Sequence, residues 1–117
     1  MTTTDETRQR LLIALKRQSR NPGGRIWRLL YERFQTPRRI RIAVNVADLQ
    51  RHFTKGHMMV VPGKVLGDGK VEDKLEVAAL AFSGKARTKI EARGGKCLSI
   101  EELMNTNPRG KNIMLIG

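Results

Sequence analysis

Three arginines stand close together in residues 36–41, which read Thr-Pro-Arg-Arg-Ile-Arg and lead directly into an apolar stretch. The positive charges of Arg38, Arg39 and Arg41 repel one another unless an anion neutralises them. The planar fork of arginine matches two phosphate oxygens at once, whereas lysine presents a single point charge. The cluster therefore predicts contact with a polyanion.

The charge balance of the whole chain supports a nucleic-acid partner. The 117 residues hold 23 Lys and Arg against 11 Asp and Glu, a formal charge of +12, and the sequence pI is about 10.9. Residues 1–57 contain 13 basic and 4 acidic residues, whereas residues 58–117 contain 10 and 7. Such a basic excess is typical of proteins that bind nucleic acid, and the N-terminal half is the expected main docking surface.

Further basic residues of the helical hairpin and of the α/β core are expected to contact phosphates. Isolated charges such as Arg93 are interpreted instead as part of a solvated helix face. The predicted RNA-binding residues are Arg17, Arg20, Arg25, Arg28, Arg38, Arg39, Arg41, Arg51, Lys55, Lys64, Lys85 and Lys111.

A glycine-rich stretch at residues 62–70 suggests nucleotide binding, but its spacing does not fit. It lacks the Gly-x-x-x-x-Gly-Lys-Ser/Thr order of a phosphate loop, and Glu72 occupies the third small position that a dinucleotide fingerprint starting at Gly67 requires. A turn between strands is the better interpretation, from which Lys64 projects towards a phosphate.

Catalytic, metal and cofactor chemistry have no positive support in the sequence. His52 and His57 lack further ligands at a suitable spacing and are expected to be exposed or to face RNA. Cys97, the single cysteine, cannot form an internal disulfide and is expected to be a small core residue in a reducing compartment. The carboxylates are scattered over predicted turns and caps, with no pair flanking a cleft.

Aromatic residues make up only 4% of the chain, so an exposed platform for stacking single-stranded bases is not expected. Trp27 and Tyr31 are spaced i, i+4 on a predicted helix, where core packing is favoured over nucleotide stacking. Folded RNA, bound through its phosphates and its shape, is the partner that this composition favours.

The first part of the chain predicts a basic helical hairpin that ends at Pro37. A capping-box pattern at Thr3 and Glu6 precedes leucines at helical spacing, and the Asn-Pro-Gly-Gly sequence at residues 21–24 interrupts the helix. The second helix has one apolar face, formed by Ile26, Trp27, Leu30 and Phe34.

From residue 40 the pattern predicts alternating strands and helices. Asp48 is a candidate cap for a short helix, Ser83 for the helix at 85–93, and Ser99 with Glu102 for the last helix. Pro62-Gly63 is expected to end a strand, and Gly94-Gly95 to follow a helix. The predicted strands are residues 40–45, 58–61, 75–82, 96–98 and 113–116.

These elements predict an α/β fold in one domain spanning 1–117, with a basic helical segment at 1–39 and an α/β core at 40–117. No apolar run approaches the length of a bilayer span, and the N-terminus lacks a signal-peptide pattern. A soluble, cytoplasmic protein is therefore expected.

Several short motifs stand in a recognisable order along the chain: Ile26-Trp27-Arg28, Pro37-Arg38-Arg39, Val44-Asn45, Val61-Pro62-Gly63-Lys64-Val65-Leu66-Gly67, Val77-Ala78-Ala79, Phe82-Ser83, Gly94-Gly95-Lys96, Glu101-Glu102-Leu103 and Asn107-Pro108. In this order they resemble the archaeal and eukaryotic large-subunit ribosomal protein family called eighteen-e, which is related to the bacterial-type large-subunit protein fifteen. The resemblance covers nearly the whole chain from Arg8, and the compact length of the chain is typical of an archaeal member.

This resemblance implies an α/β core of irregular β-β-α units, an N-terminal helical segment lying on large-subunit ribosomal RNA, neighbouring ribosomal proteins as further partners, and no enzymatic activity. The sequence departs from the expected pattern at His57-Met58-Met59 and at Cys97. Two other functions remain as alternatives. An RNA-processing or RNA-modifying enzyme would need a cofactor pocket or catalytic carboxylates, and a DNA-binding architectural protein would need groove-reading or wedge-inserting elements.

Overall fold

The computed structural model describes residues 3–21, 23–35 and 43–116, of which residues 3–8 are described by their backbone alone. Five helices and five strands lie within these ranges. Their order is α1 Thr3–Gln18, α2 Arg25–Phe34, β1 Ala43–Asn45, α3 Val46–His52, β2 Met58–Leu66, β3 Glu76–Phe82, α4 Gly84–Ala92, β4 Lys96–Ser99, α5 Ile100–Thr106 and β5 Ile113–Leu115.

The strands form a parallel sheet around the long strand β2, which confirms the predicted α/β class. The order β1-β2-β3-β4 runs across the sheet, and β5 also pairs with β2. β1 is in register with the last residues of β2, Lys64 to Leu66, whereas β5 is in register with its first, Met58 to Val60. The long strand β2 thus pairs with both the first strand, β1, and the last strand, β5.

Alternating residues of the central strands supply two separate cores, as expected for a sheet covered on both faces. Val61 and Val77 pack with residues from α3 and α4, including Leu49 and Ile90. Val60 and Ala78 lie in the other core, which contains residues from α1, α2 and α5. The helical hairpin therefore covers one face of the sheet, and α3 and α4 cover the other.

The predicted helical hairpin is confirmed. Trp27, Leu30 and Phe34 are buried, and Ile26 is half-buried beside them. Trp27 has no exposed surface, which confirms the prediction that it packs in the core, and Tyr31 is half-buried against the same cluster. The predicted capping box at the start of α1 depends on the side chains of Thr3 and Glu6, and the structure describes only the backbone of these two residues.

Two of the predicted helix caps are confirmed, and one is wrong. The Ser83 hydroxyl accepts a hydrogen bond from the Ala86 amide at 3.1 Å, and Ser99 and Glu102 form a reciprocal capping box at 3.0 and 2.9 Å. Asp48, however, lies inside α3, where its carboxylate accepts from the Asn45 amide at 3.1 Å. The capping residue of α3 is Asn45, since an acidic group at the third helical position can reach back to the cap amide.

The prediction that Pro62-Gly63 ends a strand is also wrong, because β2 continues to Leu66. The register with β3 shifts between Val61 and Lys64. Such an irregularity tolerates a proline, which cannot donate a ladder hydrogen bond. The turn therefore begins at Gly67 rather than at Pro62, and Lys64 lies on β2 rather than in the turn from which it was predicted to project. At the start of the core, β1 begins at Ala43, and residues 40–42 of the predicted strand lie outside the described ranges.

Replacing Trp27 with Ala is expected to lower the free energy of unfolding by about 3–5 kcal/mol, because it removes a fully buried aromatic ring. Domain stabilities are typically about 5–15 kcal/mol, so much of the native state would be lost at moderate temperature. Urea titration followed by far-UV circular dichroism measures the change. Trp27→Phe is the matched control, since it keeps most of the buried area, and an unchanged midpoint in Trp27→Ala would contradict the role of this residue.

Candidate nucleic-acid interface

The helical hairpin presents basic side chains to solvent because its apolar faces are buried against the sheet. Arg17 and Arg20 lie at the end of α1 and just beyond it, and Arg25 and Arg28 lie on α2. All four side chains are exposed. The cations at the end of α1 also complement the negative end of its helix dipole.

A loop from the other end of the chain fixes the position of this hairpin. The Pro108 carbonyl accepts hydrogen bonds from Trp27 Nε1 at 2.7 Å and from Gln18 Nε2 at 2.9 Å. Gly23 has a φ of +80°, and an added Cβ there would lie 2.5 Å from the Arg109 carbonyl oxygen. Gly110, with a φ of +65°, leaves no room for a Cβ beside Ile26. The hairpin turn and the loop after α5 are therefore in tight contact.

A second group of basic residues lies near the carboxyl ends of the strands. Lys64 of β2 is exposed and stands between Ala43 of β1 and Ala81 of β3 in the sheet register. Both alanines are exposed as well, so only small side chains flank the lysine. Lys85, in the first turn of α4, is exposed, and its stem lies against Gly67, where an added Cβ would be 2.7 Å from it.

The glycine turn beyond Lys64 is held by cations that the sequence did not assign to it. Lys89 Nζ donates to the carbonyl oxygens of Gly67 and Gly69, both at 2.6 Å. Arg93 Nε donates to the Val71 carbonyl at 3.1 Å. The interpretation of Arg93 as a merely solvated charge is therefore wrong, because it fastens the turn to α4. This turn presents its carbonyl groups to a lysine, which is the opposite of the amide groups that a phosphate loop presents.

The other predicted residues are exposed but differ in their surroundings. Arg51 forms an ion pair with Asp48 one turn earlier in α3, which reduces its availability to a phosphate. Lys55 follows α3 in an exposed turn, and Lys111 precedes β5. Each of the nine predicted RNA-binding residues within the described ranges is exposed. Arg38, Arg39 and Arg41 lie outside those ranges.

Arg109 is a basic residue of this surface that the sequence analysis missed. It is exposed, and its backbone touches the hairpin turn. Asn107-Pro108 was interpreted only as the end of a helix, although the Pro-Arg-Gly-Lys sequence that follows resembles the proline and arginine pattern at residues 37–39. That likeness is the one local signal that could have identified it.

The other reactive side chains of the described part of the chain are not grouped as metal ligands. No three His, Cys, Asp or Glu residues are grouped there in a way that could hold a metal ion. His52 is exposed, in line with the prediction, whereas His57 is half-buried with its Nδ1 buried and unpartnered among the described residues. Full exposure is therefore wrong for His57, and the alternative that it faces RNA stays a prediction. Cys97 is partly buried at the edge of the core, and burial raises the pKa of its thiol.

None of the described helices combines the length and the apolar character that crossing a membrane requires.

Comparison with known proteins identifies the family. Residues 2–117 match the family described as "Ribosomal protein 60S L18 and 50S L18e". The protein named "Large ribosomal subunit protein eL18" from Methanothermobacter thermautotrophicus is 39% identical over 116 residues, covering 99% of this chain and 96% of the relative. The protein of the same name from Methanoregula boonei is 38% identical and covers 97% of each chain.

The same name is carried by a protein from Archaeoglobus fulgidus that is 40% identical over 106 residues, covering 91% of each chain. The organisms of these relatives support the expectation of an archaeal member. The extent of the match shows that this chain belongs to the eighteen-e family of ribosomal proteins and is a structural component of the large ribosomal subunit rather than an enzyme.

Proposed function

We propose that this chain binds and stabilises folded large-subunit ribosomal RNA through contacts to the phosphate backbone. The observation that carries the proposal is the set of nine exposed basic side chains, of which Arg51 alone is paired with a carboxylate among the described residues. A large excess of unpaired surface cations favours a polyanion, because its charges replace the missing counterions.

Two surfaces contribute different contacts to the RNA. The hairpin supplies Arg17, Arg20, Arg25 and Arg28, whose forked groups bind phosphate oxygens in pairs. The carboxyl ends of the strands supply Lys64 and Lys85. The small alanines beside Lys64 leave room for an RNA backbone to approach the sheet closely. In sequence, Arg38, Arg39 and Arg41 stand between the residues of these two surfaces. We therefore propose that they bind phosphates of the RNA backbone between the two surfaces.

The aromatic residues favour recognition by shape and charge over base stacking. All five are buried or half-buried: Trp27, Tyr31, Phe34, Phe53 and Phe82. A surface without exposed rings cannot stack unpaired bases in the manner of single-strand-binding domains. Folded RNA is thus the binding partner of this surface. The binding takes place in a cytoplasmic ribosome, beside neighbouring ribosomal proteins.

Titration of the protein with protein-free, folded large-subunit RNA and with duplex DNA, at one salt concentration, tests this proposal. We expect binding to the RNA to be tighter by about 10³-fold or more, the lower end of the ratio seen for specific against non-specific nucleic-acid complexes. Equal affinity for both would reduce the protein to a general polyanion binder and would contradict the proposal.

A further inference from the structure

The contact between the hairpin turn and the loop after α5 brings together basic residues that are far apart in sequence. Gly23 in the turn touches the Arg109 backbone. Consecutive Cα atoms lie about 3.8 Å apart, so Arg25 is within about 8 Å of Gly23 along the chain, and Arg20 within about 11 Å. We call the resulting surface the corner patch, formed by Arg20, Arg25, Arg28, Arg109 and Lys111.

The corner patch has no internal neutralising charge. Residues 18–28 and 105–112, the two segments that form it, contain no Asp or Glu. None of its five side chains makes a hydrogen bond or an ion pair with any residue that the structure describes. All five are exposed. With no ion pair inside the patch, an anion that spans it gains interactions with several cations at once.

We propose that the corner patch holds one continuous stretch of RNA backbone, and that Arg109 is a binding residue for it. This inference rests on the proposed function and adds to it a partner segment and a residue that is not among the predicted RNA-binding residues. Arg109 supplies a forked donor from the loop after α5, whereas Arg20 and Arg25 belong to the hairpin segment, so successive phosphates can be bound from both segments.

The apolar surface argues against a protein partner at this place. Protein interfaces depend on exposed aromatic or aliphatic anchors at their centre. The large hydrophobic residues that are exposed in the described ranges are Ile13, Leu29 and Leu80, and none lies within the two segments. Trp27, the aromatic residue of the corner, is fully buried and uses its Nε1 to hold the Pro108 carbonyl.

The backbone contacts place the patch without using its charged side chains. The Pro108 carbonyl accepts a hydrogen bond, and Gly23 and Gly110 allow close approach because they have no side chain. Replacing the Arg109 side chain therefore leaves the contact intact. We expect Arg109→Gln to melt at nearly the wild-type temperature, since exposed substitutions usually change stability little.

The test is a titration of folded large-subunit RNA with wild type, Arg109→Gln and the control Lys96→Gln at several salt concentrations. Lys96 is an exposed residue of β4 and loses the same charge. We expect Arg109→Gln to bind about tenfold more weakly, the lower end for a charge-assisted hydrogen bond, and to reduce the slope of log K against log salt by about 0.7–0.9, as for one lost phosphate. Lys96→Gln should match wild type in both.

The outcomes separate this inference from the proposed function. Wild-type binding that is weak or insensitive to salt would contradict the proposed function itself. Tight wild-type binding with Arg109→Gln indistinguishable from Lys96→Gln would overturn the corner patch alone.

Cross-linking of the assembled large subunit supplies a second readout. We expect peptides that contain Arg20 or Arg25 and peptides that contain Arg109 to cross-link to the same short stretch of RNA. Cross-links to a protein, or to widely separated nucleotides that are not adjacent in the folded RNA, would also overturn the proposal.

Discussion

Replacing Arg38, Arg39 and Arg41 together with Gln is expected to abolish most of the RNA affinity while the protein remains folded. Hydrogen bonds to charged groups contribute about 1.5–3 kcal/mol each, so the loss of three corresponds to a decrease in affinity of about 10³- to 10⁶-fold. Removing three neighbouring positive charges also relieves their repulsion in the free protein. Thermal melts and RNA titrations of the same preparations measure the two effects.

The control for this variant must remove three charges from another part of the surface. Arg93 is unsuitable because it holds the Val71 carbonyl. Lys70, Lys74 and Lys96 are exposed and are not among the residues assigned to RNA. Their joint replacement with Gln should weaken binding far less. An unfolded arginine variant would show that the cluster is structural, and equal affinities of the two triple variants would show that only net charge matters.

Raising the salt concentration from about 50 to 200 mM is expected to weaken binding to folded ribosomal RNA by about 10³- to 10⁵-fold, if six to ten phosphates are neutralised. Each neutralised phosphate releases bound counterions, and added salt opposes that release. The high positive charge and the absence of exposed aromatic rings leave little binding energy that is independent of salt.

Affinity measured at four or more salt concentrations gives the number of phosphates directly from the slope. A slope near zero would contradict binding through the phosphate backbone. A shallow but definite slope would mean that fewer phosphates are bound than the exposed basic residues could neutralise. The same titrations provide the wild-type reference for the Arg109 variant.

Much of the fold could be predicted because local patterns and tertiary packing agree. The apolar residues of α2 recur at helical spacing, and the buried ones are Trp27, Leu30 and Phe34. Ser83 and Ser99 have hydroxyl groups at the residue before a helix, where an unpaired amide needs an acceptor. In these places the residues that decide the structure lie within a few positions of one another, so the local sequence pattern is enough to predict it.

One error arose where the deciding contact is distant in sequence, and the other arose from a choice between two neighbouring polar residues. Pro62 and Gly63 are typical of a turn, yet β1 and β3 pair with the residues around them and keep β2 extended. Asp48 has the right chemistry for a cap, but Asn45 occupies the position where the helix begins. The division between a helical segment and an α/β core near residue 39 stays a prediction, since residues 36–42 lie outside the described ranges.

The candidate site shows the same limit. Exposure of the predicted arginines followed from helix periodicity, but the sequence could not distinguish free cations from engaged ones. Lys89 and Arg93 donate hydrogen bonds to backbone carbonyl groups of a turn about 20 residues earlier, and Arg51 forms an ion pair with Asp48. Arg109 lies beside the hairpin only because the chain returns to the hairpin turn after β4 and α5.

The hydrogen bond from Trp27 to the Pro108 carbonyl joins residues that are 81 positions apart. Synthesis at about 5–20 residues per second completes that interval in roughly 4–16 s, during which the hairpin exists without its anchor. Contacts between residues so far apart in sequence raise the contact order, which is associated with slower folding. The ribosome that makes this chain therefore completes the arginine-rich hairpin well before it makes the segment that anchors the hairpin.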